Sequence, residues 1–495
     1  MAKITTVLGD VGPDAFGVGE PGAGAETPGA GALGAGAGSG SATVLAAETL
    51  LCAPPVRPGN AGAPATEAAF ERASVEMRML GELMLGAANR DDRTLSTADA
   101  EAALDEFAET VGGGAPESGV ADASAPGSTS ADGVAPGGFA LAGEGSPIPS
   151  RPGVVVALAG SGSAASAASL ARLSRACGVA IVRGTDGTDG LDDATRGSGD
   201  TFDAGDPESL AERIAADLGA GEHPAGIVGA IPIPAALQRD PRAIRGSGRG
   251  TDGGTRAGVS ASALVGADGP GGAFARIEAA AAAARASGAA LVLAPEADPW
   301  GVSLPVALDP ALLDRALAAV DAGGLDRARV VLTGAAALIA ARPQADPALG
   351  VDPERLRALL DLGTAFCFDD LGRIPNVRTA VSDHDVALAV LRCAELGAGD
   401  RVLLSSGIRN KHRLTAFGGN GLEFVPQQFL PYLRMLGGDD ALVTAVGGGN
   451  ALRLLRREGR TAGDPTPHGT RSRSDSHSGS SHSGSSHSGS EGTAT

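Results

Sequence analysis

Apolar and polar positions follow two patterns along residues 154–407. Short runs rich in Val, Ile, Leu and Ala, such as VVVALAG at 154–160, stand between longer stretches with helical spacing. One of these stretches, LDRALAAV at 313–320, has apolar residues three and four positions apart, as an amphipathic helix requires. Continuous apolar runs that alternate with helices indicate parallel strands covered by helices.

The pattern predicts a series of strands from residue 154 onward. They cover 154–160, 179–184, 226–233, 290–295, 329–334, 364–370 and 401–407. Helices are predicted at 164–176, 207–219, 272–287, 310–321, 352–361 and 380–396. An eighth strand before residue 154 would close a (β/α)8 TIM barrel, which is the α/β fold that we predict. An open doubly wound sheet is the alternative, because the number of strands does not by itself prove closure.

Several segments are dominated by Gly, Ala, Ser, Pro and Thr and have too few large apolar residues to bury a core. We interpret them as long disordered insertions in a single barrel domain of residues 1–460; they cover about 19–41, 112–150, 185–206 and 240–272. Residues 461–495 form a Ser/Gly-rich tail in which His477, His482 and His487 recur. A flexible background cannot preorganise a metal site, so we predict a disordered, solvated tail.

Composition restricts the partners. The chain has 495 residues, and 43% of them are hydrophobic, which is enough for a sizeable core. A formal charge of −19 argues against nucleic acid or an anionic membrane surface as a partner, because both select basic proteins. The four cysteines are far apart and form no C-x-x-C pair, and the chain has no long apolar run. We therefore expect reduced thiols and a cytoplasmic protein.

In a barrel, functional groups lie at the C-terminal ends of the strands. Most of the predicted strands end in Ala, Pro or Gly, but Asp369 and Asp370 end the strand at 364–370, and Arg373 follows them. The loop after the last strand is rich in basic residues. The candidate ligand-binding residues are therefore Asp369, Asp370, Arg373, Arg409, Lys411 and His412. They predict a pocket for a small anionic ligand, although Asp370 and Arg373 could instead only pair with each other.

Two segments at the ends of the chain resemble one known family. ITTVLGDVGPDAFGV at 4–18 and RVLLSSGIRNKHRLTAFGGNGLEFVPQQFLPYLRML at 401–436 resemble the opening and the eighth strand of phosphotriesterase-related proteins of the amidohydrolase superfamily. The resemblance implies a TIM barrel with a two-metal centre. Its ligands would be a His-x-His after strand 1, a carboxylate on strand 4, one His each on strands 5 and 6, and an Asp on strand 8.

In this sequence the implied ligand positions carry only Gly or Ala. They fall on Gly22, Gly24, Ala230, Ala294, Gly334 and Gly407. Such side chains donate nothing to a metal, so we predict no catalytic residue, no metal cofactor and a pseudoenzyme with a binding or partner role. The resemblance also implies a homodimer or pairing with an active paralogue.

Two alternatives remain open. One is a hydrolase of phosphotriesters, lactones or related esters that uses zinc or another divalent metal held by residues elsewhere. The other is a metal-free activity with Asp369 or His412 as acid or base.

Overall fold

The computed structural model describes residues 2–16, 42–53, 64–112, 153–158, 166–187, 207–219, 221–234, 269–295, 309–340, 350–376 and 379–458. Residues 461–495 and most of each predicted insertion lie outside this part of the chain. Three insertions are shorter at one end than predicted. Gly112 ends a helix, Thr185 ends a strand, and a helix begins at Gly269.

The strands in the described part of the chain form two sheets. In chain order they are β1 Ala2–Thr6, β2 Gly9–Val11, β3 Val44–Glu48, β4 Val154–Ala157, β5 Ala180–Thr185, β6 Ile227–Ile233, β7 Leu291–Pro295, β8 Val330–Leu332, β9 Ala365–Phe368, β10 Val402–Leu404 and β11 Arg456–Glu458. Strands β3 to β10 form one parallel sheet, and β1, β2 and β11 form a small antiparallel sheet.

Helices follow most of the strands of the parallel sheet. They are α1 Ala65–Arg72, α2 Leu80–Met84, α3 Thr97–Gly112, α4 Ala167–Cys177, α5 Pro207–Asp217, α6 Gly269–Ser287, α7 Pro310–Ala322, α8 Ala335–Ile339, α9 Pro353–Asp361, α10 Asp383–Glu395, α11 Leu430–Met435, α12 Asp440–Thr444 and α13 Asn450–Leu455. N-cap side chains mark where three of these helices begin. Asp309, Asp352 and Ser382 each accept a hydrogen bond from a backbone N–H in the first turn.

The strand order identifies the fold as a TIM barrel. Each of β3 to β10 pairs with its neighbour in the sequence, without the reversal that defines a doubly wound sheet. The predicted eighth strand is β3, so the barrel prediction is confirmed and the open-sheet alternative was wrong. Side chains bridge the seam between the first and last strands: Ser405, directly after β10, accepts a hydrogen bond from Ala47 N at 2.9 Å through its Oγ.

The barrel has a packed apolar interior. Val154 and Val156 belong to the cluster inside the barrel, whereas Val155 and Ala157 belong to the cluster between sheet and helices. This alternation is the period of two that a strand imposes. Both faces of β4 are therefore buried, which explains why this strand appears in the sequence as a continuous apolar run.

The antiparallel sheet lies at the N-terminal ends of the barrel strands. Val7 N, after β1, donates a hydrogen bond to Ile181 O at the start of β5, at 2.9 Å. This arrangement leaves the opposite end of the barrel, where the strands end, for a functional site. Within the described residues, no helix is long and apolar enough to cross a membrane.

Candidate functional site

The C-terminal end of β3 carries a carboxylate that was not among the predicted site residues. Glu48 is only 1% exposed. Its Oε1 accepts hydrogen bonds from Ser405 Oγ at 2.6 Å, Ser406 N at 2.7 Å and Gly407 N at 3.0 Å, and its Oε2 accepts one from Ile408 N at 2.9 Å. Burial raises the pKa of Glu48, and these four hydrogen bonds oppose that effect. The carboxylate therefore ties the first strand to the residues after the last one.

The position of β3 corrects one part of the ligand assignment. Gly22 and Gly24 were assigned to the His-x-His position after strand 1, and both lie outside the described residues. Because the first barrel strand is Val44–Glu48, its C-terminal end falls on Ala47, Glu48 and Thr49 instead. The assignment was wrong because the Gly/Ala-rich segment separates the opening motif from the strand. The corrected positions offer no imidazole either.

Of the other four implied ligand positions, three lie at or just after the end of a barrel strand, whereas Ala230 lies in the middle of β6. Ala230 is in β6, Ala294 is in β7, Gly334 follows β8, and Gly407 follows β10. Their side chains carry no donor atom for a divalent cation. Among the described residues, no group of three or more His, Cys, Asp or Glu side chains could hold a metal ion.

The backbone around Gly407 leaves no room for a side chain. Gly407 has φ +59°, and an ideal Cβ there would lie 1.6 Å from Asp369 O. An aspartate at this position would require the ends of β9 and β10 to move apart. The residues present therefore do not fit the two-metal centre that the family resemblance implies.

Asp369 lies at the end of β9, as predicted. It is 6% exposed, and its Oδ1 accepts a hydrogen bond from Gly334 N at 2.6 Å. Its Oδ2 lies 3.6 Å from Arg409 Nη2. Burial and the negative charge of Asp370 raise the pKa of Asp369 to about 6, against the attraction of Arg409.

Asp370 is held by two arginines. Its Oδ1 accepts a hydrogen bond from Arg373 Nε and lies 2.8 Å from Arg373 Nη2. Asp370 and Arg373 therefore form the pair that the sequence analysis considered. Arg413 Nη1 lies 3.9 Å from the same oxygen. Arg413 is buried, and its Nη2 donates to Leu371 O at 2.8 Å and Ser406 O at 2.9 Å. Burial lowers the pKa of Arg413 to about 10.

Lys411 forms ion pairs with two acidic residues, one between β3 and α3 and one in the first turn of α3. Its Nζ lies 2.9 Å from Asp91 Oδ1 and 3.4 Å from Asp99 Oδ2. Lys411 therefore joins the last barrel loop to the first, a structural role.

His412 is held by a buried carboxylate. His412 N and Nδ1 donate to Asp92 Oδ1 at 2.9 and 2.8 Å, and Asn410 Nδ2 donates to Asp92 Oδ2 at 2.8 Å. The Nδ1 contact fixes the orientation of the ring and leaves Nε2 as its other polar atom.

A cavity of about 70 Å³ opens among these groups and is called the mouth cavity below. Its polar lining is Asp92, Arg93, Asp370, Arg373, Asn376, Thr379, Ser382, Asp383, Asn410 and His412. Of the predicted residues, Asp370, Arg373 and His412 line it, whereas Asp369, Arg409 and Lys411 do not.

Asp383 is the second carboxylate that the sequence analysis missed. It is the first residue of α10, and Gly372 N lies 3.3 and 3.2 Å from its two oxygens. Burial raises its pKa to about 6; Asp370 adds to this effect, and the Gly372 N–H and Arg413 oppose it. An acidic residue directly after Ser382, a good N-cap, was the available sequence signal. For Glu48 the signal was a lone acid at the end of the apolar run VLAA.

Comparison with known proteins supports the resemblance drawn from the sequence. Residues 324–454 match the model of the phosphotriesterase family. A solved resiniferatoxin-binding protein from Rhodobacter sphaeroides is 20% identical with a TM-score of 0.58, and the match covers 92% of this chain and 94% of that one. The lactonase Lmo2620 from Listeria monocytogenes is 13% identical with a TM-score of 0.50, over 92% of this chain and 98% of that one. No curated protein matches the sequence. The resemblance to the phosphotriesterase family is confirmed, and at these identities the structural likeness shows the fold alone.

Proposed function

We propose that this protein is a catalytically inactive, phosphotriesterase-like barrel that binds a small polar ligand in the mouth cavity. The observation that carries the proposal is the identity of the residues at the metal-ligand positions of the family. The ligand positions on strands 4, 5, 6 and 8 carry only Gly or Ala, the end of strand 1 offers no imidazole, and Gly407 has no space for a side chain.

The loss of metal ligands has a direct chemical consequence. Hydrolysis at a two-metal centre needs imidazole and carboxylate donors at about 2 Å, which make the metal a Lewis acid and generate the attacking hydroxide. An aspartate on strand 8 would be needed as well, and Gly407 stands there. Nucleophile, Lewis acid and proton acceptor are therefore missing together.

The Glu48 network supports the same interpretation. In this chain a buried carboxylate and four hydrogen-bond donors link the first and last strands. These contacts give the barrel end a rigid structure that needs no cation. The mouth cavity retains charged side chains, which suits a binding site.

Hydrolysis assays with added metal test the proposal. The full chain would be assayed on aryl phosphotriesters and lactones after addition of zinc, cobalt or manganese, with and without a chelator. A variant with His477, His482 and His487 changed to Ala serves as the control, because it removes the three regularly spaced histidines of the tail and leaves only His468 there. We expect no chelator-sensitive turnover from either protein. Turnover that needs metal in the triple variant would contradict the proposal and favour the hydrolase alternative.

The partner remains a proposal of its own. We propose that the catalytically inactive barrel functions in a complex, either with a second copy of itself or with an active paralogue. Sedimentation of the full chain tests the first form of this proposal: a single monomeric species at all concentrations would contradict self-association.

A further inference from the structure

The cationic side chains predicted to bind an anion are already held by carboxylates of the same chain. Arg373 binds Asp370, Arg409 lies near Asp369, and Lys411 binds Asp91 and Asp99. An anionic ligand would have to compete with these intramolecular partners. The charges around the mouth cavity therefore do not favour a small anion.

Asp383 presents acceptor atoms to the mouth cavity. Its contacts with Gly372 N, at 3.2 and 3.3 Å, are longer than a typical N–H···O bond. A carboxylate accepts up to about four hydrogen bonds. Asp383 therefore has acceptor capacity left for a ligand that donates.

His412 presents a second acceptor to the same cavity. The residue is 8% exposed and lines the cavity, and its Nδ1 donates to Asp92. With Nδ1 as the donor, Nε2 of the neutral ring is an acceptor, and no partner within the described residues occupies it.

The size and the apolar wall restrict the ligand further. A cavity of about 70 Å³ holds a ligand of a few heavy atoms, since one water needs about 10–15 Å³. Leu83, Met84, Ala336 and Val381 form apolar parts of the lining. A short alkyl group fits such a wall.

We propose that the mouth cavity binds a small primary alkylammonium ion, whose nitrogen donates to Asp383 and His412 while its alkyl group contacts Ala336 and Val381. An ammonium group has three donors and no acceptor, which matches these acceptors. The Asp370 carboxylate also lines the cavity, but Arg373 and Arg413 balance its charge, so Asp383 supplies the negative charge for the ligand. This inference names the ligand class for the site in the proposed function and rests on that proposal.

Binding of such a cation depends on pH in one direction. The pKa of Asp383 is about 6, so its charge is lost as the pH falls through that range. Asp370 and Asp92 add negative charge around the cavity, while Arg93, Arg373 and the nearby Arg413 add positive charge. We therefore expect the affinity to increase between pH 5 and about 7.

Calorimetric titration of the full chain with n-propylammonium chloride tests the proposal. Propan-1-ol and propionate serve as probes of the same shape with neutral and negative head groups, and inorganic phosphate represents a compact anion. We expect one-site binding of n-propylammonium alone, with a shift of the His412 ring signals in the NMR spectrum. His412→Gln assigns those signals.

Three variants locate the site. Asp383→Asn should weaken n-propylammonium binding by at least about tenfold, because a charged acceptor is lost. Ala336→Leu should abolish binding by filling the cavity without any change of charge. Asp314→Asn, an exposed acid on α7, should leave binding unchanged. Circular dichroism confirms that each variant is folded.

The outcomes separate this inference from the proposed function. Absence of n-propylammonium binding, or equal binding by Asp383→Asn, would overturn the inference. Binding of propionate or phosphate instead of n-propylammonium, with a shift of the His412 signals, would also overturn the inference. The proposed function as a metal-independent binding protein would then still stand. Metal-dependent hydrolysis would overturn the proposed function whichever probe binds.

Discussion

Substitution of Gly407 by Ala is predicted to destabilise the barrel strongly. Gly407 has left-handed backbone geometry, φ +59°, which costs about 1–2 kcal/mol for a residue with a Cβ. The added Cβ would also lie 1.6 Å from Asp369 O, so the end of β9 or β10 must move. Overpacking of this kind typically costs about 1–3 kcal/mol. The sum predicts a loss of about 2–5 kcal/mol in the free energy of unfolding.

Gly397 provides a matched control. It has φ +74°, and its Cβ would meet nothing within 4 Å. Gly397→Ala should therefore lose only the backbone contribution, about 1–2 kcal/mol. Urea unfolding followed by circular dichroism measures both variants. Equal losses for Gly397→Ala and Gly407→Ala, or a Gly407→Asp variant as stable as the original protein, would refute the reasoning that no ligand side chain fits at this position.

Three further predictions concern the groups around the mouth. Ser405→Ala removes the hydroxyl that donates to Glu48 and accepts from Ala47 N, so urea unfolding should show a loss of about 1–3 kcal/mol; no change would contradict its bridging role. The pKa of Asp383 is raised from 3.8 to about 6, because the folded protein favours the protonated carboxyl group. This preference stabilises the fold below pH 4 and is lost as the pH rises through 6. Between pH 4 and pH 7, the free energy of unfolding of the original protein should thus fall by about 1–2 kcal/mol relative to that of Asp383→Asn. A rise instead would show that folding lowers the pKa of Asp383. Lys411→Met leaves Asp91 and Asp99 without their cation and should destabilise the fold by about 1–3 kcal/mol while n-propylammonium titrations stay unchanged; weaker binding would place Lys411 in the ligand site.

The barrel could be predicted because its strands are buried on both faces. The runs that became β4 to β10 are rich in Val, Ile, Leu and Ala, with Arg183 in β5 as an exception, and the helices between them keep the spacing of three and four. β3 was harder to locate. Its five residues, VLAAE, follow a long Gly/Ala-rich segment and end in a charged residue that breaks the apolar pattern.

The site could be predicted only in part because its partners are distant in the sequence. Asp370 and Arg373 are three positions apart, and their pairing was foreseen. Lys411 binds an acid 320 positions earlier, and His412 likewise, so local patterns carried no sign that these side chains were already occupied. The close approach of Gly407 to Asp369 is likewise a property of the folded backbone, which no spacing in the sequence reveals.

The metal content of the folded protein tests the central claim most directly. The variant with His477, His482 and His487 changed to Ala would be dialysed against zinc, washed, and analysed by inductively coupled plasma mass spectrometry. Gly or Ala at the ligand positions on strands 4, 5, 6 and 8 predicts well under one equivalent of zinc per chain. One or two tightly held equivalents would contradict the account.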